Sequence, residues 1–168
     1  VLEIKDKKKI ITSGLMFSTD TENNCHYISF WDSEINEIKH TMYGYGVLFP
    51  KQMMITNNNQ LVVSCVSGCQ INDSIVIIDP IEYNIITNIQ INTMLNKEFE
   101  FELFDNYSFI AVNKGTFVQI SCSDYSIVFA LQKEWEFLSC INKLPGGKFI
   151  MIQNERNLLW QISTTSCT

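Results

Sequence analysis

The chain has 168 residues, 46% of them hydrophobic, which is enough for one ordinary domain with a real core. Its longest apolar runs, such as IVFAL at 127–131, are about six residues where a membrane-spanning helix needs roughly 20, so no such segment is expected. Twelve basic against 18 acidic residues give a net charge of −6 without the clustered Lys and Arg that phosphate backbones demand, and nucleic acid is excluded as a partner.

The pattern along the chain is one of short runs rich in Ile, Val, Phe, Tyr and Thr, broken by polar turns, and helical periodicity is nearly absent. The first group predicts strands over 1–4, 9–17, 26–32 and 37–43, with the basic run Lys5, Lys7, Lys8 and Lys9 as a solvated turn and a loop at 18–24. The second predicts strands over 53–56, 61–66, 74–79 and 84–91. Asn57, Asn58 and Asn59 turn between the first two, and Pro80, which offers no N–H to a ladder, turns between the last two. The third predicts 99–104, 108–112, 116–121 and 126–132. The fourth predicts 136–141, 148–153 and 157–163, with Pro145, Gly146 and Gly147 as a hairpin signal. Only TTSCT follows, so a sixteenth strand is missing from the count.

Four of these strands, YISFWD (27–32), SIVIID (74–79), FVQIS (117–121) and LLWQIS (158–163), read as versions of one another, each closing on a small polar residue. The closing residues Asp32, Asp79, Ser121 and Ser163 are 47, 42 and 42 positions apart, a period that marks an array of supersecondary units. Four four-stranded antiparallel units at this spacing resemble the blades of a β-propeller. The resemblance is to the WD-repeat family, whose third strand commonly ends in an apolar pair followed by Asp: Phe30-Trp31-Asp32 reproduces that ending and Ile77-Ile78-Asp79 is a relative. Trp31-Asp32 is the one literal Trp-Asp pair, and the Gly-His dipeptide of such repeats is missing, so the family's buried Asp-His-Ser-Trp tetrad is carried over to no blade. A different propeller family stays open.

The expected fold class is therefore all-β, a β-propeller of four-stranded antiparallel blades at about 1–44, 45–92, 97–132 and 134–168, the last lacking its outer strand. Four to eight blades close a ring, and an unclosed part would expose an apolar face and a free edge. The expectation is a single segment of a larger ring of seven or eight blades, completed by blades of the same or another chain. Val1 in place of Met, and the lack of a secretory pattern in VLEIKDKKK, agree with a start inside a longer polypeptide.

Little here suggests catalysis. Two His occur, His26 and His40, both in strands; no Ser has the flanking glycines of a hydrolase elbow, and no phosphate loop is present. Glu98, Glu100 and Glu102 alternate with Phe99, Phe101 and Leu103, the pattern of a half-buried strand with a solvated acidic face. The six cysteines lack the spacing of a disulfide framework, and Cys65 and Cys140 sit inside apolar runs as small hydrophobes. Cys65-x3-Cys69 and Cys25-His26 lack a second pair at zinc-ligand spacing. Neither metal nor cofactor is expected, and reduced cysteines point to the cytoplasm or nucleus. Sixteen Asn and 23 Ile read as AT-rich coding bias, so the triplets at Asn72 and Asn106 carry little weight as glycosylation sites.

The WD-repeat resemblance implies docking of proteins or peptides on a rim of the ring. One rim would be made by the connections after fourth strands and those between second and third strands. Tyr43, Tyr45 and Trp135 are its candidate partner contacts, since Tyr and Trp dominate interface hot spots, though they equally suit packing between blades. The reading is a non-catalytic interaction scaffold of an intracellular complex. The alternatives are the regulatory propeller of a larger enzyme, such as a kinase, GTPase or ubiquitin ligase, and a propeller enzyme or lectin using the central channel.

Overall fold

The computed structural model describes residues 1–4, 7–17, 24–44, 50–65, 74–91, 99–113, 116–132, 138–145, 148–153 and 158–163. Among them lie fifteen β-strands. The first sheet holds β1 (Leu2–Ile4), β2 (Lys9–Phe17), β3 (Asn24–Asp32) and β4 (Glu37–Gly44); the second holds β5 (Pro50–Ile55), β6 (Leu61–Cys65), β7 (Ser74–Asp79) and β8 (Asn84–Gln90). The third comprises β9 (Glu100–Leu103), β10 (Ser108–Asn113), β11 (Thr116–Ser121) and β12 (Ile127–Gln132), and the fourth β13 (Leu138–Leu144), β14 (Lys148–Gln153) and β15 (Leu158–Ser163). Within every sheet the strands lie side by side in chain order, each antiparallel to the next. Such consecutive meanders are the blade construction of a β-propeller. Strands β2, β7, β11 and β14 occupy the residues that their patterns predict, whereas β13 runs three residues past the expected Ile141, to Leu144 opposite Lys148.

The chain divides into two compact units, Val1–Glu98 and Phe99–Thr168. In the first, Ile4, Ile11, Ile28 and Phe30 of one sheet pack against Leu61, Val63, Val76 and Ile78 of the next. In the second, Ile110, Val112 and Phe117 pack against Ile141 and Phe149. Ile75, Val76, Ile77 and Ile78 are all buried, so β7 is covered on both faces. That explains why SIVIID reads as a continuous apolar run instead of an alternation.

The closing polar residues acquire a physical role. Asp32 Oδ1 accepts the backbone N–H groups of Glu34 (2.9 Å) and Ile35 (3.4 Å), Asp79 Oδ1 accepts those of Ile81 (2.7 Å) and Glu82 (3.0 Å), and Ser121 Oγ accepts that of Ser123 (3.2 Å). A short polar side chain that satisfies the amides two and three residues on holds a tight turn. Four positions after each closing residue the chain takes a left-handed conformation, at Asn36 (φ 57°), Tyr83 (φ 58°) and Tyr125 (φ 59°). Each of the three hairpins then carries a bulge in its outer strand, where Lys39, Ile86 and Val128 are the unpaired extra residues. One hairpin geometry is thus built three times from Asp, Asp and Ser. Ala at position 79 is expected to cost about 1–2 kcal/mol by leaving two amides without their acceptor, and Asn there to cost less, as read by urea denaturation. An unchanged midpoint in Asp79→Ala would remove the turn from the account of the repeat.

A second link recurs across the same end of the sheets. Ser33 N–H donates to the Lys8 carbonyl (2.8 Å), and at the equivalent place in the third sheet Cys122 N–H donates to Tyr107 (2.7 Å). In the second sheet that position is Pro80, which has no N–H to give. There the Gln60 carbonyl accepts Thr56 N–H (2.9 Å) instead, and Lys9 Nζ reaches across to the Pro80 carbonyl (3.1 Å).

Candidate interaction surface

Of the three aromatic residues expected on a rim, Tyr43 lies near the end of the outer strand β4, opposite Tyr27 of β3, and is half-exposed. Tyr45 and Trp135 fall outside the described residues, as do 18–23, 45–49, 66–73 and 133–137, which the sequence reading assigns to the same rim. At the opposite end, the turns between third and fourth strands of the first three sheets lie among the described residues.

In the first unit that end carries an aromatic and cationic cluster. Lys9, expected in a solvated turn, begins β2 half-buried, with its ammonium donating to Tyr83 Oη (3.0 Å) and lying 4.5 Å from the centre of the Tyr83 ring. The other face of the cluster is His40, whose ring stacks on Tyr83 at 4.9 Å and 16°, while Phe30 meets Tyr83 at 5.2 Å. Every group that could act chemically here is engaged in holding Tyr83, a non-glycine residue in a left-handed conformation that costs of the order of 1–2 kcal/mol. Sequence reading placed His40 as packed or surface; it is both, exposed on β4 and stacked. Lys8 and Glu34 pair across the neighbouring turn. The Trp31 indole N–H donates to Thr12 Oγ1 of β2 (3.0 Å), tying the one literal Trp-Asp pair to its neighbouring strand.

The acidic strand β9 departs from the expected solvated face. Glu98 lies outside the described residues; Phe99 and Phe101 are buried as predicted, but Glu100 and Glu102 are partly buried, and Glu100 Oε2 accepts the Ile141 N–H of β13 (3.2 Å). This carboxylate fastens two sheets of one unit together. Ser108 of the Asn106 triplet is buried, its hydroxyl donating to Asp105 Oδ1 and accepting from Gln119 Nε2.

The outer strands carry the feature that sequence reading missed. Ile38, Ile85 and Ile127 hold the same register, each opposite the residue just before the closing one, and are 51%, 48% and 45% exposed. Next to them Ile35, Ile81, Ile86, Val128 and Phe129 are also exposed. A strand at a sheet edge has neighbours on one side only, so an apolar run there is left open where the same run in β7 is covered. The signal was present in the period: each of these residues follows a closing position by six.

Cys122, in the turn after β11, is buried, and burial first, then the Asp105 carboxylate, raises its thiol above the ordinary value. The thiolate is the reactive form. Cys122 is therefore expected to resist iodoacetamide in the folded chain at mildly alkaline pH and to react in urea, as read by peptide mass; labelling at equal rates would contradict its burial. Cys69 and the side chains of Cys65 and Cys25 lie outside the described residues. Among the described residues no three His, Cys, Asp or Glu side chains stand together in a metal-binding arrangement. Among the same residues no helix is long and apolar enough to cross a membrane.

Comparison with known proteins agrees with this architecture. No family model matches the sequence, and no curated protein does. Among solved structures, dihydro-heme d1 dehydrogenase NirN in complex with DHE matches with a TM-score of 0.66 at 12% identity, over 98% of this chain and 34% of that one. A protein of unknown function from Bacteroides caccae matches with a TM-score of 0.56 at 11% identity, over 90% of this chain and 64% of that one. The WD40 beta propeller domain of Doa1 gives a TM-score of 0.48 at 10% identity, over 90% and 68%. The fold class is all-β and propeller-like, and at these identities the likeness extends to fold alone. The chain spans about 34% and 64% of the lengths of the first two.

Proposed function

We propose that this chain is a non-catalytic, WD-repeat-like propeller module that binds protein partners within an intracellular complex. The observation that carries the reading is the repeated exposed Ile of the outer strands, Ile38, Ile85 and Ile127, with the apolar neighbours that extend each into a patch. Exposed contiguous apolar surface marks interaction sites, and each patch is held by a stiff hairpin, which lowers the ordering entropy of binding. The titratable groups of the first unit's best-formed polar cluster, Lys9, Tyr83 and His40, are occupied with one another, which supports a structural over a chemical use.

The test is purification of the full-length protein with its bound partners, compared with a triple Ser variant at Ile38, Ile85 and Ile127. A stoichiometric protein partner that the variant loses is the expected result. A protein that emerges alone and turns over a small substrate would overturn the reading.

A further inference from the structure

The three outer strands are not equally protected. Strand β4 carries Glu37 and Lys39, and β8 interleaves its Ile residues with Asn84, Thr87, Asn88 and Gln90. Strand β12 has the sequence IVFALQ, with no charge and only Gln132 polar; Ile127, Val128, Phe129 and Ala130 are all exposed, Val128 the most at 59%. One edge of β12 is bonded to β11 from Thr116↔Gln132 to Ile120↔Ile127, and it stands last in its sheet, with no strand of the described residues on the other edge. A charge-free apolar edge is a template for another strand; natural sheets blunt it with charge, Pro or a bulge, and of these β12 has only the bulge at Val128 that all three outer strands share.

We propose that the β12 edge is a docking site for an extended apolar peptide, which adds a fifth strand to the third sheet and places a Lys or Arg beside Asp124. The proposal rests on the interaction reading above and names the partner's chemistry. Two arguments select a peptide over a second copy of the chain. Six residues give an edge of about 20 Å, and a contact of that length between two folded copies falls well short of the roughly 1,200 Å² that a specific interface needs. A peptide has no second folded body to orient; it draws affinity from main-chain hydrogen bonds and specificity from alternate side chains. Charge then sets the flank. Asp124 lies exposed in the turn that leads into β12, kept ionised below the usual carboxylate range by hydrogen bonds from Ser121 and Ser126, and the chain as a whole is acidic. An antiparallel peptide brings its C-terminal end to this carboxylate, so its cation belongs there.

The probe is a fluorescein-labelled eight-residue peptide of alternating Val and Thr with a C-terminal Lys, capped at both ends and titrated against the full-length protein by anisotropy. Saturable binding is expected. N-methylation of alternate peptide amides, and separately Val128→Lys in the protein, should each weaken it by about tenfold or more, the equivalent of one or two hydrogen bonds. Asp124→Asn should weaken it by roughly two- to threefold, and only for the Lys-bearing peptide. No binding, or equal binding of the N-methylated peptide, overturns strand addition. Sedimentation showing a dimer that Val128→Lys returns to monomer overturns the choice of occupant in favour of a second copy. Failure here leaves the interaction reading intact, because that reading falls only if the full-length protein purifies without a protein partner.

Discussion

Phe30→Ala is expected to lower the stability of the folded chain by about 3–5 kcal/mol, a large part of the 5–15 kcal/mol that a domain ordinarily holds. Phe30 is fully buried in the first unit, and its ring bears on Tyr83 at 5.2 Å and His40 at 6.4 Å. Truncation opens a cavity between two sheets that meet through β-branched side chains, which have few rotamers with which to fill it. It also removes the floor under Tyr83, a left-handed residue whose N–H bonds to the Asp79 carbonyl (2.9 Å) and whose ring then keeps the Lys9 ammonium and the His40 ring. Because urea slopes run about 1–3 kcal/mol per molar, the midpoint should fall by roughly 2 M. Phe30→Leu, which keeps most of the volume, should cost less than about 1.5 kcal/mol. Equal midpoints for Ala and Leu would mean that the packing between these sheets is not what holds the unit.

Phe149→Ala should act on the second unit by a similar amount, about 3–5 kcal/mol. Phe149 is fully buried and stacks on Phe104 with ring planes 5° apart and centres 5.4 Å apart, within the cluster of Ile110, Val112, Phe117 and Ile141. Amide exchange is the suitable readout, with loss of protection centred on β10 and β13; protection that stays as in the parent chain would remove Phe149 from the core.

Much of the fold was legible because two local signals agree. Runs of β-branched and aromatic residues name the strands, and a polar residue at the end of the third strand names the hairpin that follows in the first three sheets. Asp79 and Pro80 fix both ends of that argument within two residues. What the sequence hid is which side of a run is covered. SIVIID and IVFAL look alike, yet β7 is buried on both faces and β12 lies open at an edge, since neighbour strands far away in the chain decide the difference. Lys9 was misread for the same reason: its role is set by Pro80 and Tyr83, more than 70 positions on. Of the three aromatic candidates only Tyr43 lies among the described residues, on an outer strand, and the surface proposed above is built from Ile, a residue that hot-spot reasoning from Tyr and Trp passes over.

Amide hydrogen exchange of the full-length protein, free and in complex with its purified partner, tests the central claim most directly. The account predicts protection gained along the outer strands, greatest over Ile127–Gln132. A bound partner that protects other segments and leaves β4, β8 and β12 unchanged would contradict it.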